Sequence, residues 1–310
     1  MRIREEQYIG CVLGLAYGDA LGAPYEGGVV EQLLWRSIGR TASGEMRWTD
    51  DTQMALDLAN SLIAKGKIDQ EDLAQRFAAS YRWDRGYGPA VAKVLKRIKA
   101  GQNWKIANTA IYPNGSYGNG AAMRSPIMAL YMPGNLTALM RHTKSSAEVT
   151  HVNPLGIEGA RIIAVATAKL LHQVEPKDVI NIVLAYCQLF EFKEQLDLVR
   201  HWLTFDYVIE PQYVVSKLGN GMTALTSCVT AIYIALYFLD KRFEAMLSFV
   251  QACEGDVDTI GAMAGAMWGA FNGHKGLPKS ELEARDSLIN IAQILHIRFS
   301  HQAHGVPAFC

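Results

Sequence analysis

Two short acidic segments, far apart in the chain, carry the side chains best suited to chemistry. One is WTDDT at positions 48–52 and the other is GDVDT at positions 255–259. Each precedes a long stretch with apolar residues at helical spacing, so each is predicted to form the first turn of a helix. Together they offer four carboxylates and several hydroxyls, the oxygen ligands that Mg²⁺ and Mn²⁺ prefer. If the fold brings the two turns together, they form a metal site.

Helix capping is the alternative explanation of either segment. Thr49 and Asp256 are acceptable N-cap residues, and acids in a first helical turn interact favourably with the helix dipole. Capping explains the pair less well, because both segments precede helices that we expect to be buried. Adjacent buried acids repel each other unless a cation neutralises them. The residues alone leave both interpretations open.

Three further features are candidates for a binding site. Glu26 lies in a Pro/Gly-marked loop after the first predicted helix, although such a glutamate can simply be solvated. Positions 115–120 read GSYGNG and are predicted to open a helix whose first turns contain Met123 and Arg124. Backbone amides at such a helix start suit phosphate, whereas a plain turn is the alternative. His151 lies just before a helix predicted to begin at Asn153-Pro154, where a structural role is also open.

Helical periodicity dominates the chain, and strict apolar/polar alternation is almost absent. We find no repeat of 30 to 50 residues and no Pro/Ser-rich linker, so we predict one compact all-α domain over residues 1–310. The predicted helices are Tyr8–Leu21, Asp50–Ala64, Gln70–Tyr81, Pro89–Ala100, Gly120–Tyr131, Pro154–Leu171, Lys177–Phe190, Glu194–Thr204, Leu225–Leu239, Phe243–Cys253, Thr259–Phe271 and Lys279–Phe299.

Two of these helices carry glycine at every fourth position. The glycines at positions 10, 14, 18 and 22 share one face of the first helix, and those at 261, 265 and 269 share one face of another. Each glycine costs a helix about 1 kcal/mol relative to alanine. Their recurrence on one face therefore predicts that another backbone approaches closely there.

The composition excludes several classes of protein. Half of the 310 residues are hydrophobic, and 30 basic residues balance 30 acidic ones, which argues against nucleic-acid or anionic-membrane binding. Five widely spaced cysteines without a Cys-x-x-Cys pattern indicate a reducing compartment and no structural zinc. Acids interrupt the pattern of a signal peptide, and no apolar run is long enough to span a bilayer. We expect a cytoplasmic protein that is a monomer.

Five runs in this order resemble the ADP-ribosylhydrolase (ADP-ribosylglycohydrolase) family. They are GCVLGLAYGDALGAPYE (10–26), WTDDTQMAL (48–56), GSYGNGAAMR (115–124), THVNPLGIEGA (150–160) and GDVDTIGAMAGAMWGA (255–270). The resemblance implies a compact orthogonal bundle of helices around a cleft with two divalent cations, Mg²⁺ or Mn²⁺. It also implies an enzyme that releases ADP-ribose from modified proteins by cleaving its bond to a serine or arginine side chain.

The resemblance assigns roles to individual residues. It implies that Glu26 is catalytic, with Asp50 and Asp51 sharing that role in arginine-specific chemistry. The implied metal ligands are Thr49, Asp50, Asp51, Asp256, Asp258 and Thr259. The implied ADP-ribose-binding residues are Gly115, Ser116, Tyr117, Gly118, Asn119 and His151. For adenine stacking, Tyr112 and Ile111 are both near the expected place.

Two positions depart from the family pattern. Val257 stands where the family usually has threonine or serine, and Glu254 stands where it usually has glycine. The side chain at position 257 points away from the metals in the family pattern, so we expect little loss there. A non-catalytic relative that binds ADP-ribose or blocks a partner protein is the alternative function. The intact acidic residues argue against it.

Overall fold

The computed structural model describes residues 2–300, in which helices are joined by loops and isolated bridges without a β-strand. Two 3₁₀ turns, Ala23–Tyr25 and Trp83–Arg85, complement the α-helices. The α-helices are α1 (Glu5–Gly22), α2 (Val29–Ile38), α3 (Asp50–Lys65), α4 (Gln70–Ser80), α5 (Pro89–Lys99), α6 (Trp104–Ala107), α7 (Pro126–Tyr131), α8 (Leu136–Ala147), α9 (Pro154–Leu171), α10 (Pro176–Tyr186), α11 (Phe190–Thr204), α12 (Pro211–Leu218), α13 (Ala224–Tyr237), α14 (Phe243–Cys253), α15 (Val257–Asn272) and α16 (Arg285–Phe299). The all-α prediction is confirmed.

The close backbone approach predicted at the glycine stripes is confirmed, and it lies at the centre of the molecule. Helices α1 and α15 pack antiparallel, and a Cβ added at Gly14 would lie 2.1 Å from the carbonyl oxygen of Gly265. A Cβ added at Gly18 would lie 2.0 Å from the carbonyl oxygen of Gly261. Contacts this short leave no room for a side chain, so the two backbones touch directly. Nearly all residues of both helices are buried.

Other helices surround this central pair. Helices α9 and α13 pack against α15, while α16 covers α1. Gly159 of α9 allows a second close approach, because a Cβ there would lie 2.7 Å from that of Ala224. The result is one continuous apolar core around the central pair.

Several predicted helix boundaries are wrong. The helix predicted from Gly120 begins only at Pro126, because residues 120–125 form consecutive turns. The helix predicted from Lys279 begins at Arg285, because the preceding segment pairs instead with Met46. The Met46 amide donates to the Glu281 carbonyl at 2.9 Å, and its carbonyl accepts from the Glu283 amide at 2.9 Å. Helices α2, α6, α8 and α12 were not predicted from the sequence.

The cysteines of the described region are buried thiols, as their apolar surroundings predict. Cys11, Cys187, Cys228 and Cys253 are all free and buried, whereas Cys310 lies outside the described residues. None of the helices in residues 2–300 combines the length and the apolar composition that crossing a bilayer demands.

Candidate active site

The antiparallel central pair brings distant parts of the sequence to one end of the molecule. A Cβ at Gly22, the last residue of α1, would lie 2.6 Å from the Cα of Asp258 in the first turn of α15. Glu26 follows α1 after one 3₁₀ turn, so it reaches the start of α15 as well. The first turn of α3 completes the group. The two acidic segments of the sequence therefore meet, as the metal-site interpretation requires.

A cleft of roughly 390 Å³ opens above this meeting point. Most of the candidate residues line it, whereas Thr49 and Gly115 lie outside the lining among the described residues. The candidates in the lining are Glu26, Asp50, Asp51, Ser116, Tyr117, Gly118, Asn119, His151, Asp256, Asp258 and Thr259.

The carboxylates form two groups that share Asp258. Oxygen atoms of Asp19, Asp51 and Asp258 lie within 4.8 Å of one another, and so do those of Glu26, Asp256 and Asp258. Asp50 stands beside them, half-buried at the cleft wall. Two adjoining sets of carboxylate oxygens with one shared member suit hard divalent cations.

The electrostatics of the cluster oppose the ionisation of all its acids at once. Burial, followed by the nearby Asp19 and Asp50 carboxylates, raises the pKa of Asp51 well above its usual value. Burial and then Glu26 raise the pKa of Asp258 in the same way, and that of Asp256 to about 7. Asp51 Oδ2 is moreover buried without a hydrogen-bond partner. Clustered acids of this kind are protonated or bind a cation.

Asp19 is a site residue that the sequence did not reveal. It is fully buried in α1, and its carboxylate accepts hydrogen bonds from the Thr49 amide, the Thr52 amide and the Thr52 hydroxyl, the last at 2.6 Å. These bonds tie the first turn of α3 to α1. The available signal was an acid inside an otherwise apolar helix, which implies a buried partner.

A second set of contacts holds the residue before this turn. The Arg85 guanidinium lies 3.8 Å from the Trp48 ring centre, and it donates to the Trp48 carbonyl at 2.7 Å. It also forms two hydrogen bonds to Glu283, at 2.6 and 2.7 Å. Because Arg85 is almost fully buried, this charged pair fixes the approach of the chain to Thr49.

Thr49 and Asp256 both occupy N-cap positions, but only Thr49 caps its helix with its side chain. The Thr49 hydroxyl accepts from the Asp51 amide at 3.3 Å, as the capping interpretation predicts. Asp256 makes no such bond to α15, so the prediction that it caps this helix is wrong for its side chain. Its carboxylate instead accepts from the Asn119 amide group at 2.5 Å. Thr259, one turn on, donates to Asp51 Oδ1 at 3.3 Å and so connects the two acidic segments.

The glycine-rich loop at 115–120 forms the opposite wall. It does not open a helix as predicted; it is held by the start of α13 instead. The Asn119 amide donates to the Met222 carbonyl at 3.1 Å, and the Ala224 amide donates to the Tyr117 carbonyl at 3.0 Å. Gly115 has φ of +75°, and a Cβ there would lie 2.3 Å from Val152. The loop conformation therefore depends on glycine at that position.

His151 lies where the loop meets α9. Its side chain is buried and lines the cleft. Thr150, the preceding residue, is in turn contacted by Arg124. Asn153 caps α9 through a 3.0 Å bond from the Leu155 amide, with Pro154 in the first turn as predicted.

The rim of the cleft contains residues that the sequence did not single out. Met222 and Thr223 come from the segment before α13, and residues 88–91 come from the start of α5. Tyr112 lines the cleft, whereas Ile111 does not line it in the described structure. No spacing in the sequence links these segments, because each reaches the cleft through a different loop.

Comparison with known proteins identifies the family. The family model described as ADP-ribosylglycohydrolase matches residues 1–304. The chain belongs to the ADP-ribosylglycohydrolase family. The family predicted from the five sequence runs is thereby confirmed, and the protein is an ADP-ribosylhydrolase, a glycosyl hydrolase.

Relatives in distant organisms match over nearly their whole length. The chain is 30% identical to the ADP-ribosylhydrolase ARH3 of Gallus gallus, over 96% of this chain and 94% of that protein. It is 28% identical to the ADP-ribosyl-[dinitrogen reductase] glycohydrolase of Rhodospirillum rubrum, over 91% and 90% of the two chains. A solved structure titled ADP-ribosylglycohydrolase-related protein complex is similar in fold, with a TM-score of 0.70 at 24% identity, over 96% and 99% of the chains.

Proposed function

We propose that this ADP-ribosylhydrolase removes ADP-ribose from serine or arginine side chains of modified proteins, with the help of divalent cations. The observation that carries the proposal is the pair of carboxylate groups sharing Asp258 at the base of the cleft. The glycine-rich loop forms the facing wall. One end of the cleft thus suits cations and ribose hydroxyls, and the other suits a diphosphate.

The described residues fit Mg²⁺ or Mn²⁺. The donor set is made of oxygen atoms, Asp51, Asp256 and Asp258 are buried, and Asp51 Oδ2 lacks a hydrogen-bond partner. On this proposal Asp51, Asp256 and Asp258 hold two cations together with Thr49, Asp50 and Thr259. When bound, the cations orient ribose hydroxyls and lower the pKa of a water molecule. Asp19 belongs to one of the two carboxylate groups, but its oxygens already accept hydrogen bonds from Thr49 and Thr52.

Glu26 is the proposed proton carrier. It lines the cleft beside Asp256 and Asp258, whereas the other cluster acids are more deeply buried. Hydrolysis breaks the bond between the ribose anomeric carbon and the acceptor atom. Water adds its hydroxyl to that carbon, and the departing atom gains a proton. A cleft carboxylate can give up one proton and take the other, while nearby carboxylates stabilise the oxocarbenium-like transition state.

The loop residues are proposed to bind the ADP-ribose part. Gly118 and Ser116 both line the cleft, and the Ser116 hydroxyl accepts from the Gly118 amide at 3.2 Å. Asn119 has its amide group engaged by Ser227 and Asp256, so its role is to position the loop rather than to reach far into the cleft. Tyr117 and Tyr112 are about half exposed at the rim and offer ring faces to a base.

The test is release of ADP-ribose from two synthetic peptides, one modified on serine and one on arginine, followed by mass spectrometry. We expect release from at least one peptide and loss of release with EDTA, restored by excess Mg²⁺ or Mn²⁺. Asp258→Asn should lower the rate by at least ~10³-fold, because Asp258 belongs to both clusters of acids and its loss changes both.

The matched control is Asp57→Asn. Asp57 is also a buried acid of α3, but it is bonded to Ser80 and Gln53 outside the cleft. This variant should keep its rate per folded molecule. Release that persists unchanged in EDTA would contradict the role of the cations. ADP-ribose binding without turnover of either peptide would instead favour a non-catalytic binding protein.

A further inference from the structure

Arg124 is a fully buried arginine that makes no ion pair within the described residues. Its guanidinium donates to the Gly120 carbonyl, to the Ser146 carbonyl at 3.2 Å and to the Thr150 hydroxyl at 3.0 Å. It also lies 4.9 Å from the centre of the Phe77 ring. Burying an unpaired charge is costly, so a structural role alone explains this residue poorly.

The bond from Arg124 uses one of the two lone pairs of Thr150 Oγ1 and directs the Thr150 hydroxyl proton away from the guanidinium. A guanidinium can only donate, so Thr150 Oγ1 accepts from Arg124. The same oxygen lies 2.7 Å from Nδ1 of His151. Among the described residues, Nδ1 is the hydrogen-bond acceptor that the Thr150 hydroxyl proton can reach. A buried hydroxyl proton without an acceptor is costly, so the geometry favours donation from Thr150 to Nδ1, which then carries a lone pair.

A lone pair on Nδ1 leaves the imidazole proton on Nε2. That edge of the ring faces the glycine-rich loop. A Cβ at Gly120 would lie 2.9 Å from His151 Cε1 and 3.2 Å from Nε2, and one at Gly118 would lie 3.5 Å from Nε2. The glycines thus leave the space that the ring edge needs to face the cleft.

We propose that Arg124 and Thr150 are positioning residues that hold His151 as the neutral tautomer with its proton on Nε2. His151 then donates a hydrogen bond to an oxygen acceptor of ADP-ribose at the loop. This inference rests on the proposed function for the identity of the ligand, but the tautomer itself can be measured in the ligand-free protein.

The positive charge of Arg124 also favours the neutral form of the His151 ring. Burial, and then the positive charge of Arg124, lowers the pKa of His151 to about 3. Arg124 itself stays charged at neutral pH, although burial lowers its pKa to about 9. The imidazole is therefore neutral throughout the physiological range, and it acts as a hydrogen-bond donor rather than as a cation.

The first test is a long-range ¹H–¹⁵N NMR spectrum of the ligand-free protein, with the His151 signals assigned by their loss in His151→Asn. The wild type and Thr150→Ser should show a protonated Nε2 and an unprotonated Nδ1. Thr150→Val removes the hydroxyl at nearly constant volume and should shift the ring to a mixture of tautomers. Circular dichroism checks that the variant is folded.

Two results would overturn the inference. One is a wild-type ring that is doubly protonated at neutral pH or carries its proton on Nδ1. The other is a Thr150→Val ring that keeps the wild-type pattern. If Thr150→Val does not fold, the wild-type spectrum alone tests the predicted tautomer of His151.

The second test measures ADP-ribose binding by calorimetry. Thr150→Val should weaken the affinity for ADP-ribose roughly three- to tenfold, which corresponds to the net free energy of one hydrogen bond. Thr150→Ser should restore the affinity. In turnover KM should rise by a similar factor while kcat changes less. Failure of the wild type to bind ADP-ribose would contradict the proposed function and leave the tautomer result standing. Normal binding by Thr150→Val would contradict the inference alone.

Discussion

The first turns of α3 and α15 present similar acidic sequences to the same cleft, but the protein holds them in different ways. The α15 turn is fixed by direct backbone contact, because the glycine stripes let α1 and α15 touch along their length. The α3 turn is fixed by side chains, since Asp19 accepts from Thr49 and Thr52. One turn depends on the absence of side chains and the other on a buried carboxylate.

The difference extends to the acids themselves. In α3 the cap is a hydroxyl, which leaves both aspartates after it available to the cleft. In α15 the residue at the cap position is itself an acid, and its carboxylate is held by Asn119 from across the cleft. The first turn of a helix can therefore supply acids to a site in two ways. Another residue can cap the helix, as Thr49 does in α3, or the acid at the cap position can make no cap bond, as Asp256 does in α15.

The largest expected effect comes from breaking the backbone contact. Gly14→Ala places a methyl group 2.1 Å from the Gly265 carbonyl oxygen, so the central helices must separate. We expect a loss of about 3 kcal/mol or more in the free energy of unfolding, measured by urea denaturation. Gly88→Ala is the control, because a Cβ there meets nothing within 4 Å. Equal stability of the two variants would contradict the close packing.

Removing the buried carboxylate should affect the other turn. Asp19→Ala leaves the Thr49 amide and the Thr52 amide and hydroxyl without their acceptor, at a cost of about 3 kcal/mol. The rate of ADP-ribose release per folded molecule should fall as well, because the α3 turn loses its position. Asp57→Ala should be destabilised but keep its rate. A normal rate in Asp19→Ala would show that Asp19 is merely structural.

The pH dependence of stability should depend on whether cations are present. Burial and Glu26 raise the folded-state pKa of Asp256 to about 7, so the folded protein holds this proton more tightly than the unfolded chain. That stability is complete below pH ~4 and is lost as the pH rises towards 7. In EDTA we expect Tm to fall between pH 5 and pH 8, and less so in Asp256→Asn.

Added Mg²⁺ should reverse this trend, because cations bind the ionised carboxylates. At a hundredfold excess over its Kd, a cation stabilises the folded state by about 2.7 kcal/mol. Differential scanning calorimetry at pH 5 and pH 8 measures both effects. An equal shift in Tm by Mg²⁺ at the two pH values would argue against binding at these acids.

The smallest effect distinguishes the two cap positions. Thr49→Ala removes a side-chain cap and should cost about 1 kcal/mol. Asp256→Asn removes no cap bond and relieves a buried charge, so in EDTA its stability should equal or exceed that of the wild type. Thermal unfolding of both variants in EDTA gives the comparison. A clear loss in Asp256→Asn would mean that its carboxylate supports α15 after all.

The parts of the site predicted from the sequence are those with a local signal. Glycine at every fourth position has few explanations other than close helix packing, and acids before an apolar helix mark its first turn. The glycine pattern correctly predicted a close backbone approach at the two stripes. The acidic pattern left capping and a metal site open, and the family resemblance favoured the meeting of the two segments that the structure shows. Order along the chain, together with the family resemblance, predicted the glycine-rich loop.

The parts that could not be predicted depend on contacts between distant segments. Asp19 looks like an isolated acid until Thr49 and Thr52 are seen to donate to it. The helix predicted from Gly120 fails because Arg124 turns back onto the Gly120 carbonyl, and Pro126 then starts the helix. Helix α2 was not predicted although its apolar residues have helical spacing, and in the structure Val29, Val30 and Leu33 are exposed instead of packing on the core.

The hydrogen bond between Asn119 and Asp256 has a thermodynamic consequence. It joins the loop proposed to bind the diphosphate to the acids proposed to bind the cations. A change in charge at Asp256 alters the strength of this bond and hence the position of the loop. Linkage requires such an effect to be mutual: if a cation tightens ADP-ribose binding by some factor, ADP-ribose tightens cation binding by the same factor.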